Sequence, residues 1–173
     1  MFLEGTSIYL REVRESDIGL TSNYYKWITD LKVTKYLETR FYPQSVEKIA
    51  EYVREQNSNH NTVFLAIILK ENTQHHIGNI KLVINWIHQY AEISLVISKD
   101  YWNKGIGTEA IKLASAYALN VLGLHKLIAG AYSENIGSIK AFQKAGFKIE
   151  GEIKEMYYSE GKRTGRILLG RTK

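Results

Sequence analysis

Trp102-Asn103-Lys104-Gly105-Ile106-Gly107-Thr108 is the stretch that decides the fold. It lies between an apolar run, residues 93–97, and a long amphipathic segment, residues 109–122. This order predicts a strand, a glycine-containing turn and the start of a helix. Backbone N–H groups at a helix N-terminus have no intrahelical partner and carry partial positive charge, so they attract phosphate. Gly105 and Gly107 let that backbone approach an anion, and Lys104 adds a formal charge. The stretch is therefore a candidate phosphate site, with an ordinary tight turn as the alternative.

Two other phosphate-binding motifs do not fit this stretch. A dinucleotide-binding motif needs three glycines and an acidic residue after the next strand, and the third glycine is absent. A P-loop needs Gly-Lys-Ser/Thr after four spacer residues, which is also absent. A single Gly-x-Gly is weak evidence, so the ligand has to be inferred from the rest of the chain.

Composition narrows the class of protein. The 173 residues, 45% of them apolar and 24% charged, predict one globular domain over residues 1–173. The absence of cysteine excludes disulfides, thiolate metal sites and a cysteine nucleophile, and fits a cytoplasmic protein. No apolar run approaches the roughly 20 residues of a membrane span, and no basic-then-apolar leader begins the chain. We therefore expect no membrane partner.

The net charge of +5 comes from scattered basic residues, with no run of five or more. A mildly basic surface or a small anionic ligand explains this pattern better than a nucleic-acid groove, which would need a basic stripe. None of the five histidines shows ligand spacing, so we expect no metal. His75 and His76 are expected to lie in a solvated turn.

Hydrophobic periodicity predicts a single α+β domain with a mixed sheet. Residues 70–76 are polar and are expected to form a hairpin turn, while Gly146 is well placed to end a helix. The predicted strands are 8–13, 63–69, 77–84, 91–97, 127–132, 153–158 and 164–169, and the predicted helices are 18–31, 46–53, 109–122 and 136–145.

A second segment, Asn135-Ile136-Gly137-Ser138-Ile139-Lys140-Ala141-Phe142-Gln143-Lys144-Ala145-Gly146-Phe147, follows the strand at 127–132. Together with residues 101–110 it resembles the GNAT family of acetyl-CoA-dependent N-acetyltransferases, over most of the chain from Ile8 to about Leu169. The resemblance implies a three-layer domain. Its mostly antiparallel mixed sheet is splayed at the cofactor site, with helices on both faces.

The match is strongest to the branch that contains the ribosomal-protein alanine N-acetyltransferases and the spermidine acetyltransferases. Trp102 stands three residues before the first motif glycine, where the family usually has Arg or Gln and where this branch often has an aromatic residue. The closing segments, residues 150–155 and 161–163, are also typical of the branch.

The resemblance implies where acetyl-CoA binds. The pyrophosphate would lie on the turn backbone, the pantetheine would pair with one of the splayed strands, and Asn135 would contact the cofactor arm or an ordered water. The implied cofactor residues are Leu95, Val96, Ile97, Asn103, Lys104, Gly105, Ile106, Gly107, Thr108 and Asn135.

The implied chemistry is direct attack of a neutral amine on the thioester, which needs few residues. Glu92 is a candidate base and Ser138 a candidate hydroxyl near the sulfur; the alternatives are a solvated carboxylate and a helix-start serine. Many family members have a tyrosine acid at the position of Phe142, which cannot donate a proton. Ser138, water, Tyr157 or Tyr158 would replace it, or the thiolate would leave unaided, since thiol pKa values lie near 8.5.

The acceptor side is less well specified. In the family the first helices and their loop form its wall, so Tyr36, Arg40, Phe41 and Tyr42 are substrate candidates, although aromatic residues here also suit a core. The loop at residues 38–43 is short, aromatic and basic, which favours an aminosugar nucleotide or other small amine over a protein N-terminus. Phe142 argues against a polyamine. A catalytically idle CoA-binding or regulatory domain is the alternative function, and a homodimer is left open.

Overall fold

A computed structural model describes residues 1–71 and 75–173. The described residues form eight strands and four α-helices. The strands are β1 (Leu3–Glu4), β2 (Ile8–Glu12), β3 (Thr62–Leu69), β4 (His76–Asn85), β5 (Tyr90–Ile97), β6 (Lys126–Tyr132), β7 (Lys148–Ser159) and β8 (Lys162–Thr172). The helices are α1 (Asn23–Ile28), α2 (Val46–Ser58), α3 (Ile106–Ala116) and α4 (Ile136–Lys144).

All eight strands belong to one sheet, in the order β1-β2-β3-β4-β5-β6-β8-β7. Every neighbouring pair is antiparallel except β5 and β6, which run parallel. A parallel pair needs a crossover connection, and α3 supplies it here. The mixed, mostly antiparallel sheet that the resemblance implied is confirmed.

Two hydrophobic clusters lie on opposite faces of the sheet. The larger contains the apolar sides of α3 and α4; Ala110 and Ala114 of α3 and Ala118 of the following π-helical turn are fully buried. Small side chains on one helix stripe bring α3 close to the strands. The smaller cluster contains residues of α1 and α2, including Trp27 and Val53. The helices therefore cover both faces, as expected of the three-layer fold.

The predicted helix over 18–31 was wrong in length. The α-helix begins at Asn23, because the Ser22 hydroxyl accepts a hydrogen bond from the backbone N–H of Tyr25 at 3.1 Å, and it ends at Ile28. Leu20 and Leu31, which were assigned to its apolar face, are 71% and 75% exposed. Their helical spacing came from an irregular segment whose backbone does not follow a helical period.

The other helices follow the sequence more closely. α3 begins at Ile106, three residues earlier than predicted, and continues as a π-helical turn over Tyr117–Val121. Gly123 follows the π-helical turn and Gly146 follows α4, and both are in left-handed conformation. No helix among residues 1–71 and 75–173 is long and apolar enough to cross a membrane.

The hairpin turn predicted over 70–76 lies partly outside the described residues. Its last residue, His76, was wrongly assigned to solvent, since it begins β4 and is 4% exposed. The imidazole packs edge-on against the rings of Tyr24 and Trp27, and its Nε2 lies 2.9 Å from the Gly78 carbonyl oxygen. Contacts with α1, distant in sequence, bury it.

Candidate functional site

The sheet opens into a fork between β5 and β6. The parallel ladder joins only residues 90–92 to residues 126–128, and Glu92 opposite Ile128 is its last pair. Beyond this point β5 continues to Ile97, paired with β4 alone in the described ladders. The fork leaves one backbone edge of Leu95, Val96 and Ile97 facing away from β4, as the predicted splay requires.

The turn after β5 leads into α3 with two residues in left-handed conformation. Asn103 has φ 59° and Gly105 has φ 80°. Gly105 occupies the N-cap position, and no side chain caps the helix there. The backbone N–H groups of Ile106, Gly107 and Thr108 therefore point out of the first turn, where an anion can accept hydrogen bonds from them.

The two glycines of the turn are needed for different reasons. A Cβ on Gly105 would meet nothing within 4 Å, so its backbone angle is the constraint. A Cβ on Gly107 would lie 3.3 Å from Ile97 Cδ1 and 3.7 Å from Leu95 Cδ1. Gly107 therefore lets the first turn of α3 pack closely on β5, beside the open edge of the fork.

A hydrogen bond from the Trp102 side chain joins this turn to the end of β5. The indole N–H of Trp102 donates to the Ile97 carbonyl at 2.8 Å, although the residue is 44% exposed. Lys104 Nζ lies 5.2 Å from the centre of the Tyr101 ring. Hence Trp102 orients the strand end, and the Lys104 charge lies beside the turn.

The start of α4 contains two predicted residues. Asn135 is the N-cap, and its side-chain oxygen accepts from the backbone N–H of Ser138 at 3.2 Å. The Ser138 hydroxyl makes no hydrogen bond to another described residue. Phe142 is 2% exposed and packs edge-on against Phe147, with 5.1 Å between ring centres. A core position and an apolar ring both remove Phe142 from proton transfer.

Three tyrosines, the buried Tyr132 and the partly buried Tyr36 and Tyr157, form a connected group of rings, the tyrosine cluster. Tyr132 and Tyr157 stack at 4.1 Å, and Tyr36 lies 5.3 Å from Tyr132. Burial raises the pKa of Tyr157, and the negative charges of Glu92 and Glu38 raise it further against the opposing effect of a nearby arginine. Burial also raises the pKa of Tyr132. The phenols of Tyr132 and Tyr157 therefore stay protonated at neutral pH.

Of the other predicted acceptor residues, Arg40 and Phe41 lie on a 3₁₀ turn, Glu38–Phe41, and Tyr42 directly follows it. Arg40 donates to the Lys35 carbonyl at 2.7 Å, and its charge opposes the rise in the pKa of Tyr132 that burial causes. Phe41 and Tyr42 are 49% and 69% exposed, and neither ring contacts the cluster in the described structure. Of the four candidates, Tyr36 alone has its ring in the cluster.

Glu92 lies at the apex of the fork and is paired with a residue the sequence did not suggest. Arg166 of β8 donates from Nη2 to Glu92 Oε1 at 2.7 Å. Sequence reasoning also missed Tyr132. Its position at the end of an apolar strand was visible, but the packing of Tyr157 and Arg166 beside that strand depends on the pairing of β8 with both β6 and β7.

A cavity of about 250 Å³ lies between α1 and the residues that directly follow β5. It is lined by Asn23, Lys26, Trp27, Asp30, Val33, His75, His76, Ser98, Lys99 and Asp100, none of which is a predicted site residue. No group of three or more His, Cys, Asp or Glu in the described parts of the chain could hold a metal ion. The fork therefore remains the candidate site.

Several known proteins are similar to this chain. The spermidine N(1)-acetyltransferase of Escherichia coli (strain K12) is 40% identical over 85 residues, which is 49% of this chain and 46% of that enzyme. The chain thus spans about half the length of that relative. The probable N-acetyltransferase YjcK of Bacillus subtilis (strain 168) is 28% identical over 158 residues, 86% of this chain and 84% of that protein.

Solved structures share the fold. The spermidine N-acetyltransferase of Vibrio cholerae in complex with CoA and spermine superposes with a TM-score of 0.83 at 20% identity, over 96% of this chain and 95% of that one. A GNAT-family acetyltransferase of Bacillus anthracis gives 0.82 at 22% identity, over 99% and 98% of the two chains. The family model for the acetyltransferase (GNAT) domain matches residues 7–148. The chain belongs to the GNAT acetyltransferase family.

Proposed function

We propose that this protein transfers an acetyl group from acetyl-CoA to a primary amine. The observation that carries the proposal is the fork between β5 and β6, with an uncapped helix start at one end and Glu92 at its apex. The fork offers an extended backbone edge to a pantetheine chain. The helix start offers N–H groups to a pyrophosphate.

On the cofactor side, the proposed contacts are mostly backbone. The pyrophosphate would accept hydrogen bonds from the turn at residues 103–108, and the pantetheine amides would pair with Leu95, Val96 and Ile97. Asn135 caps α4 through its oxygen, so its amide nitrogen is the atom left for the cofactor arm or an ordered water. Backbone N–H groups near Val96 would polarise the thioester carbonyl.

On the acceptor side, Glu92 is the proposed base. The amine nitrogen attacks the thioester carbonyl carbon, its proton passes to Glu92 directly or through water, and the C–S bond breaks to release CoA thiolate. Such a base contributes about 10²–10⁴-fold to the rate. Since Phe142 has no proton to give, the thiolate takes one from Ser138 or water, or leaves as the anion.

For the acceptor itself we propose a small amine, with an aminosugar nucleotide as the first compound to test. The partly buried rings of Tyr36 and Tyr157 would offer an aromatic surface to a sugar or base. Charges around it are balanced rather than strongly acidic: Glu38, Glu92, Glu134 and Glu160 stand beside Lys35, Arg40, Lys162 and Arg166. A polycationic acceptor would favour a net negative surface. Polyamines belong in the test because spermidine acetyltransferases are among the similar proteins.

The test follows release of CoA thiol from acetyl-CoA with aminosugar nucleotides, polyamines, small amines and peptides with free N-termini. We expect turnover with a small amine and much less with peptides. CoA should also raise the midpoint of thermal unfolding, because a ligand at 100 times its Kd adds about 2.7 kcal/mol. Stabilisation by CoA with no thiol release for any amine would contradict the enzyme and favour an idle CoA-binding domain.

Three further proposals concern the domain, the location and the assembly of the protein. Residues 1–173 act as one catalytic domain, the protein works in the cytoplasm, and a homodimer is the assembly to test. Sedimentation at several protein concentrations, with and without CoA, tests the dimer; a monomer at all concentrations would contradict it.

A further inference from the structure

Three strands bring Glu92, Gly130 and Arg166 together where the fork opens. Glu92 is the last residue of the parallel ladder on β5, Gly130 lies two residues beyond its partner Ile128 on β6, and Arg166 is on β8. The Arg166 side chain therefore crosses β6 to reach Glu92. Its charge and that of Glu92 act in opposite directions on the pKa of Tyr157, so the pair lies beside the tyrosine cluster.

Gly130 provides the space for this crossing. A Cβ on residue 130 would lie 2.3 Å from Arg166 Nε and 2.5 Å from its Nη2, closer than atoms can approach. The backbone of Gly130 is not in the left-handed region, so its φ does not require glycine. Space is the requirement here, and any larger residue would displace the guanidinium from its path to Glu92.

The ion pair occupies only one carboxylate oxygen. Oε1 of Glu92 accepts from Arg166 at 2.7 Å, while Oε2 makes no hydrogen bond to another described residue. The Glu92 side chain is 44% exposed and that of Arg166 21%. One oxygen is therefore held by a mostly covered arginine, and the other belongs to a half-exposed side chain and has no partner among the described residues.

We infer that Arg166 is a positioning residue that orients Glu92 toward the acceptor amine, and that Gly130 is required because it makes room for Arg166. The inference rests on the proposed function. Arg166 touches neither the amine nor the thioester; it acts by fixing the carboxylate whose second oxygen receives the proton. A free glutamate would sample several rotamers, and misplacement by about 1 Å can cost about 10²-fold in rate.

A double-mutant cycle tests this dependence. Arg166→Gln should lower kcat about 10- to 100-fold with little change in the KM for acetyl-CoA. In a Glu92→Gln background the same change should have almost no further effect, because the carboxylate it orients is gone. Arg166→Lys should recover part of the activity, since an ammonium can still bind Oε1. Equal losses from Arg166→Gln in both backgrounds would overturn the inference and indicate a purely structural role.

Gly130→Ala gives an independent test that keeps both charged side chains. Because the clash is with a flexible side chain, the methyl group should push Arg166 aside and lower kcat nearly as much as Arg166→Gln. Glu150→Gln is the matched control, since it breaks the Lys126–Glu150 pair between β6 and β7 and should leave kcat unchanged. Full activity of Gly130→Ala would contradict the inference.

CoA-induced thermal shifts show that each variant is folded. A wild-type protein that releases no thiol would instead refute the proposed function.

Discussion

The two ends of the fork differ in the groups that line them: backbone groups at one end and side chains at the other. At the end proposed for the cofactor, the turn from Trp102 to Thr108 offers backbone N–H groups; the left-handed Gly105 shapes this turn, and Gly107 lets α3 pack closely on β5. At the end proposed for the acceptor, side chains from β5, β6, β7 and β8 meet in one ion pair and one pair of stacked rings. A backbone site depends on shape, whereas a side-chain site depends on the identity of each group. Substitutions should therefore separate the two ends.

Glu92→Gln should have the largest effect, a loss of about 10²–10⁴-fold in kcat, because the proposed base is replaced by a neutral isostere. CoA binding should be unchanged, since the cofactor end lies apart from the carboxylate. Steady-state kinetics and a CoA thermal shift measure the two properties. Glu55→Gln, an exposed carboxylate in α2, is the control. An active Glu92→Gln enzyme would remove Glu92 from the mechanism.

Gly107→Val should show the opposite pattern. Side-chain atoms would press on Ile97 and Leu95 and move the first turn of α3, and such overpacking costs about 1–3 kcal/mol. We expect CoA to bind about 5- to 150-fold more weakly in calorimetric titration. Gly151→Ala, whose Cβ would meet only Leu168 at 3.9 Å, should bind CoA normally. Unchanged CoA affinity of Gly107→Val would mean that the turn does not hold the cofactor.

Tyr157→Leu should raise the KM for the amine about 2- to 12-fold, because a stacked ring pair contributes about 0.5–1.5 kcal/mol. Tyr158 is the matched control: it is adjacent in β7, 51% exposed, and near Arg163 rather than the tyrosine cluster. Initial rates over a range of acceptor concentrations distinguish the two. If Tyr158→Leu had the larger effect, the acceptor would bind elsewhere.

Lys104→Ala tests whether side-chain charge matters at the cofactor end. An exposed ion pair with a phosphate contributes about 0.2–1 kcal/mol, so the KM for acetyl-CoA should rise no more than about fivefold. A loss larger than that of Gly107→Val would mean that the cofactor end is electrostatic rather than backbone-built.

Buried His76 makes the packing of α1 on β4 sensitive to acid. Burial lowers the pKa of His76, against the opposing effects of Asn79 and Asp17. The unfolded chain then binds the extra proton first, so the free energy of unfolding should fall as pH drops below about 6.5. Urea unfolding of wild type and His76→Gln between pH 5 and 7 should show a shallower dependence in the variant. Parallel slopes would contradict this assignment.

A second group titrates in a separate window. Burial alone would raise the pKa of Asp17, but hydrogen bonds from Arg11 and the Arg14 backbone N–H outweigh burial and lower it. Its stabilisation is present above about pH 4 and is lost as pH falls further. The His76 measurement between pH 5 and 7 is therefore free of this contribution.

Local patterns predicted much of the fold. Apolar runs gave β3, β4 and β5 to within one residue at each end, and Gly146 marked the end of α4. The pattern failed over 18–31, where apolar residues with helical spacing lie in an irregular segment. It failed again at His76, because polarity in the sequence does not reveal burial by a distant helix.

By itself the sequence determined the strand, turn and helix at residues 93–116, since glycine positions and apolar periodicity act over a few residues. With the segment at 135–147, that was enough to indicate the family. Only the tertiary structure decided which side chains meet at the fork. Glu92 and Arg166 are 74 positions apart, and Gly130 has no local reason to be glycine. Their association depends on the register of three strands, which long-range pairing of the whole sheet sets.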